Sequence, residues 1–326
     1  MKSSAIAIPP LETADGCHRG PNGTIARPLS AFTGAQIEGM DLRKGLSAQE
    51  VAFVRAMLLR WKVVFFRDQP LSHEQHIQFA RNFGDLTDGH PVFGSVEGYP
   101  EVYSVAKVRH ANRAEGEGLI RPWTGWHTDV TAAVNPPYAS ILRGVDIPPY
   151  GGDTQWTNLA IAYDRLSAPM RNFLDGLRGI HQFSAKPGKK ATPEYIAMVE
   201  SKALVSEHPL VTVHPETGEK VLYVSPSFLK SIVGLTPREN QVLLELLWEH
   251  ITRQEFTVRF KWDAGCIAFW DNRATCHLPP TDIFSLDYDR QLYRITLVGQ
   301  VPVGADGRPS VSITGNPVLA AVAANI

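Results

Sequence analysis

Ile267-Ala268-Phe269-Trp270-Asp271-Asn272-Arg273-Ala274-Thr275-Cys276-His277 is the stretch on which the reading of the fold turns. Its first four residues are apolar without a break and end in two aromatics, which predicts a core strand carrying Asp271 to His277 at its end. Around it lie further short apolar segments, at 101–107, 138–145, 153–157, 207–214, 221–225, 255–262 and 291–299, punctuated by Gly and Pro turns. Two helical stretches interrupt them, near 159–175 and 236–252. Many short strands with turn signals predict a β-sandwich or barrel with helices packed on its outside.

Upstream, Ser47 and Glu50 form a capping box ahead of Val51, Phe53, Val54, Met57 and Leu58, so a helix with one buried face starts there. Lys62-Val63-Val64-Phe65-Phe66 reads as a buried strand, and Ser72 as the cap of a second helix stopped by Gly84. No βαβ alternation, G-x-G-x-x-G run or internal repeat is present. The expected organisation is a flexible arm over 1–24, rich in Gly, Pro, Ser and Ala, one domain over 25–303 and a tail over 304–326. The fold class is mainly β with flanking helices, buttressing a jelly-roll core. The stretch from Ala106 to Gly125 reads as a loop, either a lid or a solvated excursion.

The chain has 326 residues, of which 32 are Lys or Arg and 33 Asp or Glu. With no long single-sign run, neither nucleic acid nor an anionic membrane has an electrostatic case. No secretory leader and no apolar run of about 20 residues is visible. Cys17, Cys266 and Cys276 cannot all pair with one another, which predicts a reduced, cytoplasmic setting. Cys276 reads as a packing residue on the face opposite His277.

Trp126-His127-Thr128-Asp129 carries the chemistry. Side chains alternate along a strand, so His127 and Asp129 share one face of a strand or strand end. A second strand alongside can supply His277. Two imidazoles and one carboxylate make an open three-ligand face, the arrangement of non-haem Fe(II) centres that activate oxygen. Other histidines lack such a setting: His73 and His76 sit on an amphipathic helix and read as solvent-facing or partly packed, structural more than ligating, His208 and His214 each precede Pro in turn-like segments, and His181 and His250 read as helix ends.

Taken together, Trp126-His127-Thr128-Asp129-Val130-Thr131, Pro137 through Ile141-Leu142, Gly151-Gly152-Asp153-Thr154, Trp270-Asp271-Asn272-Arg273, and Arg290 with Arg294 resemble the Fe(II)/2-oxoglutarate dioxygenases of the taurine dioxygenase family, particularly its alkylsulfatase branch. The similarity runs from about residue 25 to about 303. It implies a double-stranded β-helix, cupin-like core. It also implies His127, Asp129 and His277 as catalytic iron ligands, Thr154 and Arg290 as holders of the 2-oxoglutarate cosubstrate, and O2 as the oxidant. A guanidinium fork suits a carboxylate, and a threonine hydroxyl can add a third bond. His277 to Arg290 is slightly longer than usual in that family. His90 and Arg294 match the positions that hold a sulfonate or sulfate in relatives, and Val130 belongs to the same substrate pocket.

Two departures stand out. Phe93 replaces a tyrosine that positions taurine, and Trp123 stands near an asparagine position. Fewer polar partners disfavour a small zwitterion and favour an anion-headed substrate with an alkyl or aryl body; both aromatics read equally well as core residues. The expected activity is hydroxylation of a small anionic organic molecule, an alkyl sulfate ester or sulfonate ahead of taurine, releasing succinate and CO2. An aryloxy acid or a specialised metabolite is the alternative within that mechanism. Outside it stand a Zn hydrolase using the same ligands and a non-catalytic metal-binding jelly-roll sensor. A homo-oligomer, dimer or tetramer, is expected from relatives.

Overall fold

The computed structural model describes residues 15–90, 94–107, 121–183, 197 and 200–321. Strands β1 (His18–Arg19), β2 (Ile25–Pro28) and β3 (Ala35–Glu38) precede helix α1 (Ala48–Trp61), strand β4 (Val63–Phe66) and helix α2 (His73–Arg81). Strands β5 (Tyr103–Ala106), β6 (Ala139–Asp146) and β7 (Thr154–Asn158) lead to α3 (Leu159–Asp164) and α4 (Ala168–Leu174). Next come β8 (Arg178–Gln182), β9 (Val205–Pro209), β10 (Val211–Val213), β11 (Lys220–Leu222), β12 (Leu229–Ile232) and helix α5 (Pro237–Ile251). The chain closes with β13 (Thr257–Phe260), β14 (Ile267–Asp271), β15 (Thr275–Leu278), β16 (Gln291–Leu297) and β17 (Val311–Thr314).

The main sheet has eight strands in the order β1-β2-β3-β4-β14-β6-β16-β5, and a three-stranded sheet has the order β13-β7-β15. Both share one apolar cluster: Phe65, Leu142, Ala268, Trp270 and Leu292 from the first, Trp156, Val258 and Phe260 from the second. Phe65 stacks on Phe260 at 4.1 Å and meets Trp156 edge-on at 5.3 Å, which locks the sheets face to face. The other face of the main sheet packs on α1 and α2 through Val64, Phe66, Ile267 and Phe269. Successive residues of β4 and β14 therefore enter opposite cores, and for this reason both strands read as unbroken apolar runs. The sandwich with external helices is as expected.

The quoted stretch 267–277 holds the expected core strand at its start, but His277 does not simply follow at its end. It is two strands in two sheets: β14 pairs with β4 and β6, whereas β15 pairs with β7. The turn between them is built by Asp271, whose Oδ1 accepts the backbone N–H of Arg273 at 2.9 Å while Ala274 N donates to Asp271 O at 3.2 Å. A carboxylate bonding two residues ahead closes an Asx turn and redirects the chain across the sandwich. His277 thus lies inside the second sheet, not at the end of the first.

Both early capping boxes form, Ser47 with Glu50 and Ser72 with Gln75. The second helix stops at Arg81 with Asn82 at its cap, two residues short of Gly84. Stretch 159–175 is two helices, because Ser167 caps a new one that has Pro in its first turn. Of the arm, residues 15–24 are packed: β1 pairs with β2, and His18 is buried. In the tail, β17 pairs with β9, and Ala321 N donates to Leu86 O at 2.7 Å. Among the described residues no helix is long and apolar enough to cross a membrane.

Candidate metal centre

His127 and His277 face each other across an antiparallel bridge and exchange both backbone bonds, His127 N to His277 O at 2.9 Å and His277 N to His127 O at 2.7 Å. Residues paired in this way project their side chains to the same side. Their ring centroids lie 4.1 Å apart. Asp129 follows on the same face, and Thr128 points away, donating from Oγ1 to Thr275 O at 2.7 Å beside the buried Cys276. The segment is a single bridge, not a strand. After Asp129 the chain turns through Val130, whose φ of 52° is left-handed, a costly conformation for a β-branched residue.

One ligand atom from each of His127, Asp129 and His277 falls within 4.8 Å of the others. Nδ1 of His127 lies 3.0 Å from Gly125 O and donates to it, so Nε2 presents a bare lone pair 3.9 Å from Asp129 Oδ1. Burial, followed by the charge of neighbouring groups, pushes the His277 imidazole well below its usual pKa, and burial lowers that of His127 against the pull of Asp129. Both are therefore neutral, as ligands must be. Burial alone would raise the Asp129 carboxyl, but Arg294, the two imidazoles and the Ser140 hydroxyl hold it below the usual carboxylate range. No hydrogen bond within the described residues uses a side-chain nitrogen of His277, whose Nδ1 is buried. Two neutral imidazoles with free lone pairs beside an ionised carboxylate fit a divalent ion with open positions.

The three residues sit in a cavity of about 240 Å³ between the two sheets. Arg294, from β16, donates from Nη1 to Asp129 Oδ1 at 2.5 Å and stacks over Tyr103 at 5.1 Å. Arg290, just ahead of β16, donates from Nη2 to Gly152 O at 3.0 Å, and its Nε is buried without a partner. Burial depresses its pKa to about 10, so it remains a cation; no ion pair to it is found among the described residues. A buried unpaired cation is costly, and a carboxylate ligand would neutralise it. Thr154 Oγ1 accepts the Trp262 indole N–H at 3.0 Å, which leaves its own proton to donate. Both side chains fit the distal carboxylate of a dicarboxylate cosubstrate.

His90 and Val130 also line the cavity, His90 with its ring 4.8 Å from Tyr103. Trp123 does not. It packs 6.1 Å from Trp248 against a separate core built with α5. Trp123, expected as a substrate contact, is thus not among the described lining residues. Phe93 and most of the 106–125 loop lie outside the described residues. Sequence reading missed Ser140, whose Oγ donates to Asp129 Oδ2 at 2.6 Å, and the apolar lining residues Phe183, Leu204 and Phe228. A hydroxyl within the apolar run Ala139–Leu142 was the available signal, since a buried polar group needs a partner. His181 and His208, read as a helix end and a turn, are strand residues. Both are buried and hold Thr131 through Oγ1 at 3.0 Å and O at 2.8 Å respectively.

The sequence model of the taurine catabolism dioxygenase TauD, TfdA family matches residues 26–296. An alpha-ketoglutarate-dependent sulfate ester dioxygenase of Pseudomonas putida is 38% identical over 291 residues, 87% of this chain and 92% of that protein. An alkylsulfatase of Acinetobacter baylyi is 36% identical over 86% of this chain and 87% of its own length. A 2,4-dichlorophenoxyacetate dioxygenase of Cupriavidus pinatubonensis is 31% identical over 78% of this chain and 91% of its own. Among solved structures, a taurine dioxygenase from Burkholderia xenovorans is 65% identical with a TM-score of 0.79, covering 90% of this chain and 97% of that one. AAD-2 in complex with Mn(II) and N-oxalylglycine is 27% identical with a TM-score of 0.68, over 86% and 98%. These neighbours confirm the mainly β, jelly-roll fold.

Proposed function

Because this chain belongs to the taurine catabolism dioxygenase TauD, TfdA family, we propose that it hydroxylates an anionic organic substrate as an Fe(II)- and 2-oxoglutarate-dependent dioxygenase, with alkyl sulfate esters and sulfonates favoured over taurine itself. The observation that carries the reading is the convergence of His127, Asp129 and His277 in a cavity that also holds Arg290, Arg294 and His90. When bound, iron and 2-oxoglutarate supply from O2 the oxidising power to hydroxylate a C–H bond, with succinate and CO2 as by-products.

The chain's own residues do the rest. His127, Asp129 and His277 would hold the metal at the wall of the cavity. Arg290 and Thr154 anchor the cosubstrate carboxylate at the Gly152 end. Arg294 and His90 flank Tyr103 and converge on the substrate anion. Val105, Leu142, Phe183, Phe228 and Pro279 give the substrate body an apolar wall and exclude water from the reacting carbon. Taurine also carries an ammonium group. Asp129 is the only carboxylate among the described lining residues, and Ser140 and Arg294 already occupy both its oxygens. Among the described lining residues an ammonium would therefore find no free carboxylate to pair with, which disfavours taurine.

An aryloxy acid is the second reading, supported by the dichlorophenoxyacetate dioxygenase relative and by the same cation pair. Succinate release under air with added Fe(II) and 2-oxoglutarate tests both, using an alkyl sulfate, an alkyl sulfonate, taurine and an aryloxyacetate. Strong stimulation by the sulfate or sulfonate and weak stimulation by taurine is expected. Silence with every anion would sink the reading. A homo-oligomer is part of the proposal, measurable by light scattering, and Cys266 and Cys276, buried outside any disulfide, support a reducing, cytoplasmic setting.

A further inference from the structure

Asp129 has two oxygens with different surroundings. Oδ1 lies 3.9 Å from His127 Nε2, faces the other two ligands, and accepts from Arg294 Nη1 at 2.5 Å on the cavity side. Oδ2 points back into the main sheet, where Ser140 Oγ is 2.6 Å away. Ser140 in turn lies 2.8 Å from Asn272 Nδ2, and Asn272 Oδ1 lies 2.8 Å from Trp270 Nε1. All four side chains are buried, with exposures from 0% to 3%. The backbone of Asn272 is itself fixed, donating to Tyr138 O at 2.9 Å.

Chemistry sets the direction of every proton in this chain. An indole N–H can only donate, so the amide oxygen of Asn272 must face Trp270. The amide nitrogen then faces Ser140 and donates to its oxygen. The Ser140 proton is left one destination, Asp129 Oδ2. Arg294 lines the cavity and can turn from Oδ1 toward an incoming anion, whereas the Ser140 bond is held from within the sheet and fixes the rotation of the carboxylate with Oδ1 forward.

We propose that Ser140, oriented by Trp270 and Asn272, is a positioning residue that makes Asp129 a one-oxygen metal ligand and so keeps the remaining positions open for cosubstrate and oxygen. The inference rests on the metal centre proposed above. Its cause is local: the turn that carries the chain from β14 to β15 also places Asn272 beneath the ligand carboxylate. Removing the hydroxyl frees Oδ2 to swing forward and compete for a position.

The test compares wild type, Ser140→Ala and Asn272→Ala, each checked for a native melting transition without metal. Each is titrated with Co(II) alone by calorimetry, and the visible absorption of the Co(II) form is recorded. Ser140→Ala is expected to weaken Co(II) binding by about 10–100-fold, the usual effect of removing a partner of a metal ligand, and to alter the Co(II) bands as the carboxylate binds through both oxygens. Asn272→Ala keeps the hydroxyl but releases its direction, and should fall between. If Ser140→Ala matches wild type in affinity and spectrum, the proposal is overturned. Should that variant fail to melt as native, Asn272→Ala decides alone, with wild-type behaviour overturning the proposal. A wild type that binds no Co(II) overturns the metal centre and the proposal with it; a wild type that binds beside an indifferent variant overturns the proposal only.

Discussion

Arg290 and Arg294 are four residues apart and line one cavity, yet their surroundings ask different things of them. Arg294 is already paired, at 2.5 Å from Asp129 Oδ1. Arg290 has only a carbonyl as hydrogen-bond partner, and burial depresses its pKa to about 10, offset in part by Asp282 and Asp153. An incoming carboxylate therefore relieves a cost at Arg290, whereas at Arg294 it must share a guanidinium with a ligand. Bonds to charged groups contribute about 1.5–3 kcal/mol each, so Arg290→Ala should raise the half-saturating 2-oxoglutarate concentration by about one to two orders of magnitude. Arg294→Ala should instead lose stimulation by substrate while retaining slow, uncoupled succinate release. Steady-state assays varying each compound separately decide it: equal loss of both responses in Arg294→Ala would place that residue with the cosubstrate.

At the scale of elements, the β6–β7 connection shows how a backbone feature serves a side chain. Gly152 has a φ of 74°, and a Cβ built there would meet Arg290 Nε at 3.1 Å and Cδ at 3.3 Å. The left-handed conformation costs a residue with a Cβ about 1–2 kcal/mol, and the close approach would shift the guanidinium. Gly152→Ala should weaken 2-oxoglutarate binding and leave Co(II) affinity intact, since the three metal ligands lie on other segments; parallel loss of both in calorimetry would refute this. The Gly151-Gly152-Asp153-Thr154 motif was legible as part of a family pattern, but its reason was not, because Arg290 is distant in sequence. Capping boxes at Ser47 and Ser72 were legible because they are local. The second strand, β15, was not: once the apolar run ends at Trp270, nothing in 271–277 announces that an Asx turn at Asp271 passes His277 into another sheet. His76 could have been read as buried, since it stands three and four residues before Phe79 and Ala80 on the apolar face.

For the whole molecule, buried histidines couple stability to pH. His76 is fully buried near Arg143 and His73, and burial first, then these charges, depresses its pKa to about 3. His208, buried against Thr131 and facing His181 and Arg178, is depressed to about 4 by burial, partly offset by its backbone bonds to Thr131 and Ala133. Both recover an ordinary value near 6.5 in the unfolded chain. The unfolded chain therefore binds more protons below about pH 6.5, and folding stability falls as pH drops through that window. Each such histidine steepens the fall by up to about 1.4 kcal/mol per pH unit. Buried carboxylates such as Asp271, held below the usual range by Arg273 and His214 against burial, act with the same sign in a lower window: their contribution is present above about pH 4 and lost only below it. Between about pH 4.5 and 6.5 the histidines consequently dominate. Replacing His76 with Leu keeps an apolar side chain against Phe79 and removes one titrating group. Urea unfolding of metal-free protein across this range should show a shallower pH slope for His76→Leu by about one proton, with little difference at pH 7.5. Superimposable slopes would show that His76 is protonated equally in both states, and that burial in the α2 interface does not hold it neutral.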